Sequence, residues 1–138
     1  MSGNEEKQFS NLSVLVVEDN VVNQKVTSAM LQYFGIQPDI AENGQVAIEL
    51  ATVNKYDLIL MDCQMPVKNG FETTEYIRSV NVEQQADFKT APDVVIVAMT
   101  ANASPDDMHA CMEHGMNDFI AKPIELEIIT QMLGKWFT

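Results

Sequence analysis

The chain has 138 residues and a mass of 15.4 kDa, with 46% hydrophobic and 20% charged residues, which suits one globular domain and excludes a disordered chain. Twenty Asp and Glu against eight Lys and Arg give a net charge of −12, and Arg78 is the only arginine. A phosphate-backbone binder needs clustered cations, so no nucleic-acid partner is expected. No apolar run approaches the roughly 18 residues of a membrane span, so no membrane contact is expected of this domain. Cys63 and Cys111 do not form a CxxC pair, and without an export segment they read as reduced thiols of a cytoplasmic protein.

Residues 1–11 are polar and read as a flexible N-terminal tail, with the domain spanning 12–138. Val14-Leu15-Val16-Val17 is a continuous apolar run that stops at Glu18-Asp19-Asn20. A run without alternation suits a strand buried on both faces, as in a parallel sheet. The stretch 21–34 follows, with apolar residues at Val26, Met30, Leu31 and Phe34 and a stop at Gly35, which predicts a helix. Residues 38–41 predict a short strand and 45–53 a helix. Leu58-Ile59-Leu60-Met61 is a second buried run, and it stops at Asp62. A helix over 70–79 and a polar connection over 80–92 come next. A third apolar run, 94–99, stops at Thr100. Ser104-Pro105-Asp106-Asp107 has the form of an N-cap, a proline at the first helical position and acids in the first turn, which predicts a helix over 105–114. Residues 118–121 predict a last strand, ending at Lys122-Pro123, and 125–135 a last helix. Strand and helix alternate five times, which implies α/β architecture with parallel strands joined by right-handed crossovers.

In such a sheet, ligands sit outside the carboxyl ends of the strands. The ends in question carry Glu18 and Asp19, then Asp62, Thr100 and Lys122. Three carboxylates and one ammonium sum to −2, which a divalent cation brings to zero. Clustered carboxylates alone repel one another, and a hard cation resolves this. Mg²⁺ uses few carboxylates, which leaves Asp62 free to act as a nucleophile toward phosphorus. Lys122, Thr100 and a backbone N–H after Thr100 would neutralise and position the transferred group.

These residues, read with their neighbours, resemble a known family. Val14-Leu15-Val16-Val17-Glu18-Asp19-Asn20, Met61-Asp62-Cys63-Gln64-Met65-Pro66-Val67-Lys68-Asn69-Gly70, Met99-Thr100-Ala101-Asn102-Ala103 and Ala121-Lys122-Pro123 together resemble the receiver domain of two-component response regulators. The wording is most similar to receivers attached to hybrid sensor histidine kinases. The resemblance implies a flavodoxin-like, doubly wound five-stranded parallel sheet in the order 2-1-3-4-5 with five helices. It implies a phospho-accepting switch in which Asp62 takes a phosphoryl group from a phosphohistidine. Glu18, Asp19, Asp62 and the backbone carbonyl of Gln64 would position Mg²⁺, with Mn²⁺ as a second fitting ion. Thr100 and Phe119 would form the switch, Lys122 would pair with the phosphate, and Lys122-Pro123 would be a cis peptide. Many members carry tyrosine at the position of Phe119, so a hydrogen-bonded switch state is in question here. Gln64 and Asn102 flank the site and would tune phosphate lifetime.

The partners implied are a histidine kinase, a histidine-phosphotransfer domain or both, met by a monomer on the cytoplasmic side. On the first helix, Asn23, Val26, Met30, Leu31 and Phe34 follow core spacing. Val21, Val22 and Ala29, with Lys25 among them, fall largely off that face and are the expected docking surface. His109, His114 and Cys111 share one helix region, but the two histidines fall on different faces and read as surface residues. Two other functions fit a similar sheet. A flavodoxin-like flavin binder needs a phosphate loop where Glu18-Asp19-Asn20 would repel the phosphate. A haloacid-dehalogenase-type, Mg-dependent phosphatase needs a second acid two residues after the first, and Val21 stands there. The chain ends at Trp136-Phe137-Thr138, directly after the last helix, which leaves no room here for a DNA-binding output domain, so either a single-domain receiver or, favoured by the motif wording, a receiver from a hybrid kinase is expected.

Overall fold

A computed structural model describes residues 9–63, 69–79, 88–101 and 104–137. Strands and helices alternate along the chain: β1 (Val14–Val17), α1 (Val21–Tyr33), β2 (Asp39–Ala41), α2 (Gly44–Val53), β3 (Leu58–Asp62), α3 (Gly70–Ser79), β4 (Val95–Thr100), α4 (Pro105–Glu113), β5 (Asp118–Ala121) and α5 (Leu126–Phe137). All strand pairs are parallel, and the sheet order is β2-β1-β3-β4-β5, as expected from the sequence.

The unbroken apolar runs are explained by two cores, one on each face of the sheet. Leu15, Val17, Ile59, Met61, Ile96 and Ala98 point to one face, where Ala47, Ile48 and Ala51 of α2, Ile77 of α3 and Cys111 of α4 cover them. Val14, Val16, Leu58, Leu60, Val97 and Met99 point to the other, against Leu31 of α1 and Ile129, Met132 and Leu133 of α5. Alternate residues of a strand face opposite sides, so each central strand must be apolar throughout.

The helices begin and end on local signals. Side-chain oxygens of Asn20, Asn43, Asn69 and Ser104 accept the backbone N–H three residues on, at 2.9–3.2 Å. Gly35 and Gly115 close α1 and α4 with φ of 82° and 101°, and the following residues, Ile36 and Met116, donate back to Leu31 and Cys111. That is the left-handed glycine stop that a side chain would strain.

Two expectations need correction. Phe9 is buried and packs edge-on against Phe34 at 5.9 Å, so the packed body begins before residue 12. The polar neighbours of Phe9 hide it in the sequence. In α1 the core stripe runs through Thr27 and Leu31, while Val26 is 42% exposed. A threonine at the core position and a valine beside it reversed the apparent pattern. In the connection over 80–92, residues 80–87 lie outside the described part. Thr90 beyond them is buried, and its hydroxyl donates to the Asn54 carbonyl at 2.6 Å, pinning this segment to the end of α2.

Candidate functional site

The strand ends that carry the polar residues are held rigidly by ladder bonds that continue past the strands. Glu18 N–H donates to the Ala41 carbonyl (2.9 Å), Cys63 N–H to Met99 (3.3 Å) and Lys122 N–H to Thr100 (2.8 Å). By the two-residue alternation, Glu18 follows Val16, Asp62 follows Leu60 and Lys122 follows Ile120 onto the same face. Together with Asp19, Asn20, Asn23, Thr100 and Ala101 they line a cleft of about 250 Å³ at the carboxyl edge of the sheet.

Glu18 and Asp62 are only 1% and 4% exposed, and Asp19 is exposed. One carboxylate oxygen from each of the three lies within 4.8 Å of the others, which is the one group of three or more potential metal ligands among the described residues. The Lys122 ammonium reaches Glu18 Oε1 at 2.9 Å and Asp62 Oδ2 at 3.3 Å. Burial alone would lower the lysine pKa, but the contact with Glu18 and the charge of Asp62 outweigh it and raise it, so Lys122 stays charged. One ammonium among three carboxylates leaves the site two charges negative. Buried Glu18 Oε1 has the Lys122 ammonium at 2.9 Å as its partner, and this one cation offsets only one of the three carboxylate charges. An all-oxygen set of three clustered carboxylates with surplus negative charge fits a hard divalent cation.

Further residues shape this edge and were not singled out in the sequence. Gln24 donates to the Glu18 carbonyl at 2.7 Å, and Asn20 N–H donates to Glu18 Oε2 at 3.2 Å, so the start of α1 fixes the acid in place. Gly70, the first residue of α3, packs directly on the end of β3. A Cβ there would collide with the Asp62 carbonyl oxygen and lie 3.1 Å from Cys63 Cα. Asn-Gly reads as a turn in sequence, and only the packing reveals the close approach.

The match to the response regulator receiver domain spans residues 14–134. The chain belongs to this family. It is 46% identical over 126 residues to a hybrid signal transduction histidine kinase B of Dictyostelium discoideum, covering 88% of this chain and 6% of that protein. It is 40% identical over 134 residues to histidine protein kinase 1 of Candida albicans, covering 94% of this chain and 5% of that one. The receiver domain thus spans a small part of the length of these relatives. Among solved structures, the receiver domain of Saccharomyces cerevisiae Ssk1, crystallised with the histidine phosphotransfer protein Ypd1, matches with a TM-score of 0.80 and 35% identity over 91% of this chain and 88% of that one. The receiver of a Pseudomonas aeruginosa sensor histidine kinase, with magnesium coordinated in its cleft, matches at 0.76 and 38% over 91% and 96%. Function in two-component signalling follows from the family, and nothing among these relatives supports a flavin binder or a phosphatase.

The other residues singled out in this receiver domain fall as follows. The Lys122–Pro123 peptide is cis. Phe119 lies opposite Ala98 on β5 and is partly buried against the α2–α4 core. Gln64 and Asn102 lie outside the described residues. Val21 and Val22 are 59% and 67% exposed, and Lys25 and Ala29 are exposed beside them. Val26, released from the core, extends this apolar surface to Pro123 and Ile124. His109 pairs with Glu113, and His114 stacks on Phe71 at 4.2 Å and meets Glu75 at 2.7 Å, so neither approaches Cys111 as a metal ligand. The two cysteines are not independent, because their sulfurs stand 3.7 Å apart in the core. No helix among the described residues is long and apolar enough to cross a membrane.

Proposed function

We propose that this receiver domain accepts a phosphoryl group on Asp62 from a phosphohistidine, with Glu18, Asp19, Asp62 and the Gln64 carbonyl holding Mg²⁺ or a similar hard cation. The observation that carries the reading is the buried Asp62 carboxylate, set in an open cleft between two other carboxylates and the Lys122 ammonium. An Asp62 oxygen attacks phosphorus, the bond from phosphorus to the imidazole nitrogen breaks, and a mixed anhydride remains on Asp62. When bound, the cation supplies positive charge to the transferring oxygens and offsets the carboxylates. Lys122 moves its charge from Asp62 to the new phosphoryl group. Thr100, at the end of β4, offers a hydroxyl across the cleft and, with Phe119, forms the switch.

The docking surface is the exposed start of α1, Val21, Val22, Lys25 and Ala29, widened by Val26. An apolar patch with a polar rim beside the cleft suits a transient helical partner, a histidine-phosphotransfer domain or the histidine-bearing domain of a kinase. The crystallised pair of Ssk1 and Ypd1 supports this class of partner.

The test is intact mass after incubation with Mg²⁺ and a small phosphodonor. Wild type is expected to gain one phosphoryl group, and Asp62→Ala or excess chelator to abolish the gain. Equal uptake by Asp62→Ala overturns the assignment. Val22→Glu is expected to reduce transfer from a phosphohistidine domain while small-donor labelling stays unchanged, and undiminished partner transfer places the docking surface elsewhere.

A further inference from the structure

The geometry points to a redox site, which we propose: Cys63 and Cys111 form a reversible intrachain disulfide that fixes the chain just after Asp62 to α4. The sulfurs already stand in contact at 3.7 Å, and both residues are free, buried and part of the α2–α4 core. They meet for a reason of strand parity. Asp62 turns toward the α1–α5 face, so its successor Cys63 turns to the opposite face, where α4 presents Cys111. A disulfide needs a sulfur separation near 2.05 Å. Cys63 lies past the last residue of β3 and is tied there by one long ladder bond of 3.3 Å to Met99, so it has room to close the gap.

Cys63 borders the cleft while its sulfur lies in the α2–α4 core, so a small neutral oxidant has only a short way to travel from the cleft edge. With hydrogen peroxide as the oxidant, the Cys63 sulfur attacks one peroxide oxygen, the O–O bond breaks, and the thiol proton leaves with the departing hydroxide as water. The Cys111 sulfur then attacks the Cys63 sulfenic acid, the S–O bond breaks, and a second water leaves. Two thiols lose two electrons to one peroxide, and a dithiol reductant reverses the change. Burial slows the first step, so the pair responds to sustained rather than brief oxidation.

The consequence rests on the reading of Asp62 as phosphoacceptor. The bridge would pull on the backbone next to Asp62 and tie it to the helix that follows the Thr100 strand end. Labelling of the oxidised form is expected to slow by at least about tenfold, since a displacement near 1 Å at a reacting group can cost about a hundredfold.

The experiment uses the whole chain, reduced, freed of reductant and exposed to dilute hydrogen peroxide. Alkylation in denaturant followed by intact mass is expected to give a monomer lighter by two hydrogens that takes no alkyl group, and reductant restores two alkylation sites. Alkylation at both cysteines after peroxide, or a disulfide-linked dimer, overturns the site. Labelling by a small phosphodonor is measured on the same samples. Loss on oxidation in wild type, recovery on reduction and no loss in Cys111→Ala or Cys111→Ser are expected. Loss that persists in both Cys111 variants, or unchanged labelling of a fully bridged chain, overturns the link to Asp62. Absence of labelling in the reduced wild type would instead refute the phosphoacceptor reading, while the mass result still stands.

Discussion

Gly70 is where one atom decides the geometry of the site. Any side chain there drives a Cβ into the Asp62 carbonyl, a backbone group that cannot rotate away. Gly70→Ala must therefore push α3 off β3 or displace Asp62 itself. Overpacking of this kind costs about 1–3 kcal/mol. The expected outcome is a lower midpoint in denaturant unfolding, together with slower small-donor labelling of Asp62. A stability and labelling rate equal to wild type would show that the contact can relax freely. By contrast, Gly134 has open space around its missing side chain, so Gly134→Ala is expected to leave both measurements unharmed. The residues facing the cleft were legible in sequence because each stands at the carboxyl end of an apolar strand run, and parity then puts Glu18, Asp62 and Lys122 on one face. Gly70 and Gln24 were not legible as site residues, since their roles depend on how closely a helix approaches a strand end. The contact between Cys63 and Cys111 likewise joins residues 48 positions apart and has no local signature.

The elements themselves were legible to within one or two residues because caps and stops are local. Asn20, Ser104, Gly35 and Gly115 act within a single turn, and the buried strands announce themselves as unbroken apolar runs. What sequence could not supply was the anchoring between elements. Arg78, the lone arginine, matters in sequence chiefly for the cations it lacks as neighbours. In the fold it ties the end of α3 to two segments, donating to the carbonyls of Pro92 (2.7 Å) and Val94 (2.6 Å) before β4, and to the Gly115 carbonyl (2.8 Å) and Asn117 Oδ1 (2.7 Å) before β5. Burial lowers its pKa, with nearby Asp93 opposing the shift, but a guanidinium remains charged at any ordinary pH. Asn117 in turn accepts from Ile96 N–H at 2.8 Å, so the lock reaches the start of β4. Removing the fork leaves acceptors that half-buried positions only partly return to water. Arg78→Ala is expected to cost about 2–3 kcal/mol, from the usual worth of hydrogen bonds to a charged group. Arg78→Lys should recover less than half of that, because one ammonium cannot span four divergent acceptors. Thermal unfolding of the three proteins checks the order, and a lysine variant as stable as wild type would mean that charge alone is needed.

At the scale of the whole molecule, a net charge of −12 meets a site with its own surplus of negative charge. Both features make the folded state sensitive to cations, but in different ways. General repulsion is relieved by any salt, and the effect saturates as the screening length shortens to about 10 Å near 0.1 M. A cation bound between Glu18, Asp19 and Asp62 stabilises only the folded chain, because unfolding scatters residues 18, 19 and 62. Mass action then adds about 2.7 kcal/mol at a hundredfold excess over the dissociation constant, and the gain keeps rising with concentration. Unfolding followed in MgCl₂ and in NaCl of matched ionic strength separates the two. Mg²⁺ is expected to raise the midpoint beyond the NaCl control in wild type. Asp19→Asn, which removes an exposed ligand without burying a new group, should retain the NaCl response and lose most of the extra Mg²⁺ response. Asp62→Asn should do the same, and here a second effect has the opposite sign. Neutralising a buried carboxylate beside Glu18 relieves repulsion, so this variant is expected to be more stable than wild type without Mg²⁺ unless lost pairing with Lys122 outweighs that relief. Mutation of Lys122 in wild type and again in the Asp62→Asn background completes a double-mutant cycle whose coupling term isolates that pairing. Identical MgCl₂ and NaCl curves in wild type would remove the metal from the site, and the three carboxylates would then need another explanation for their proximity.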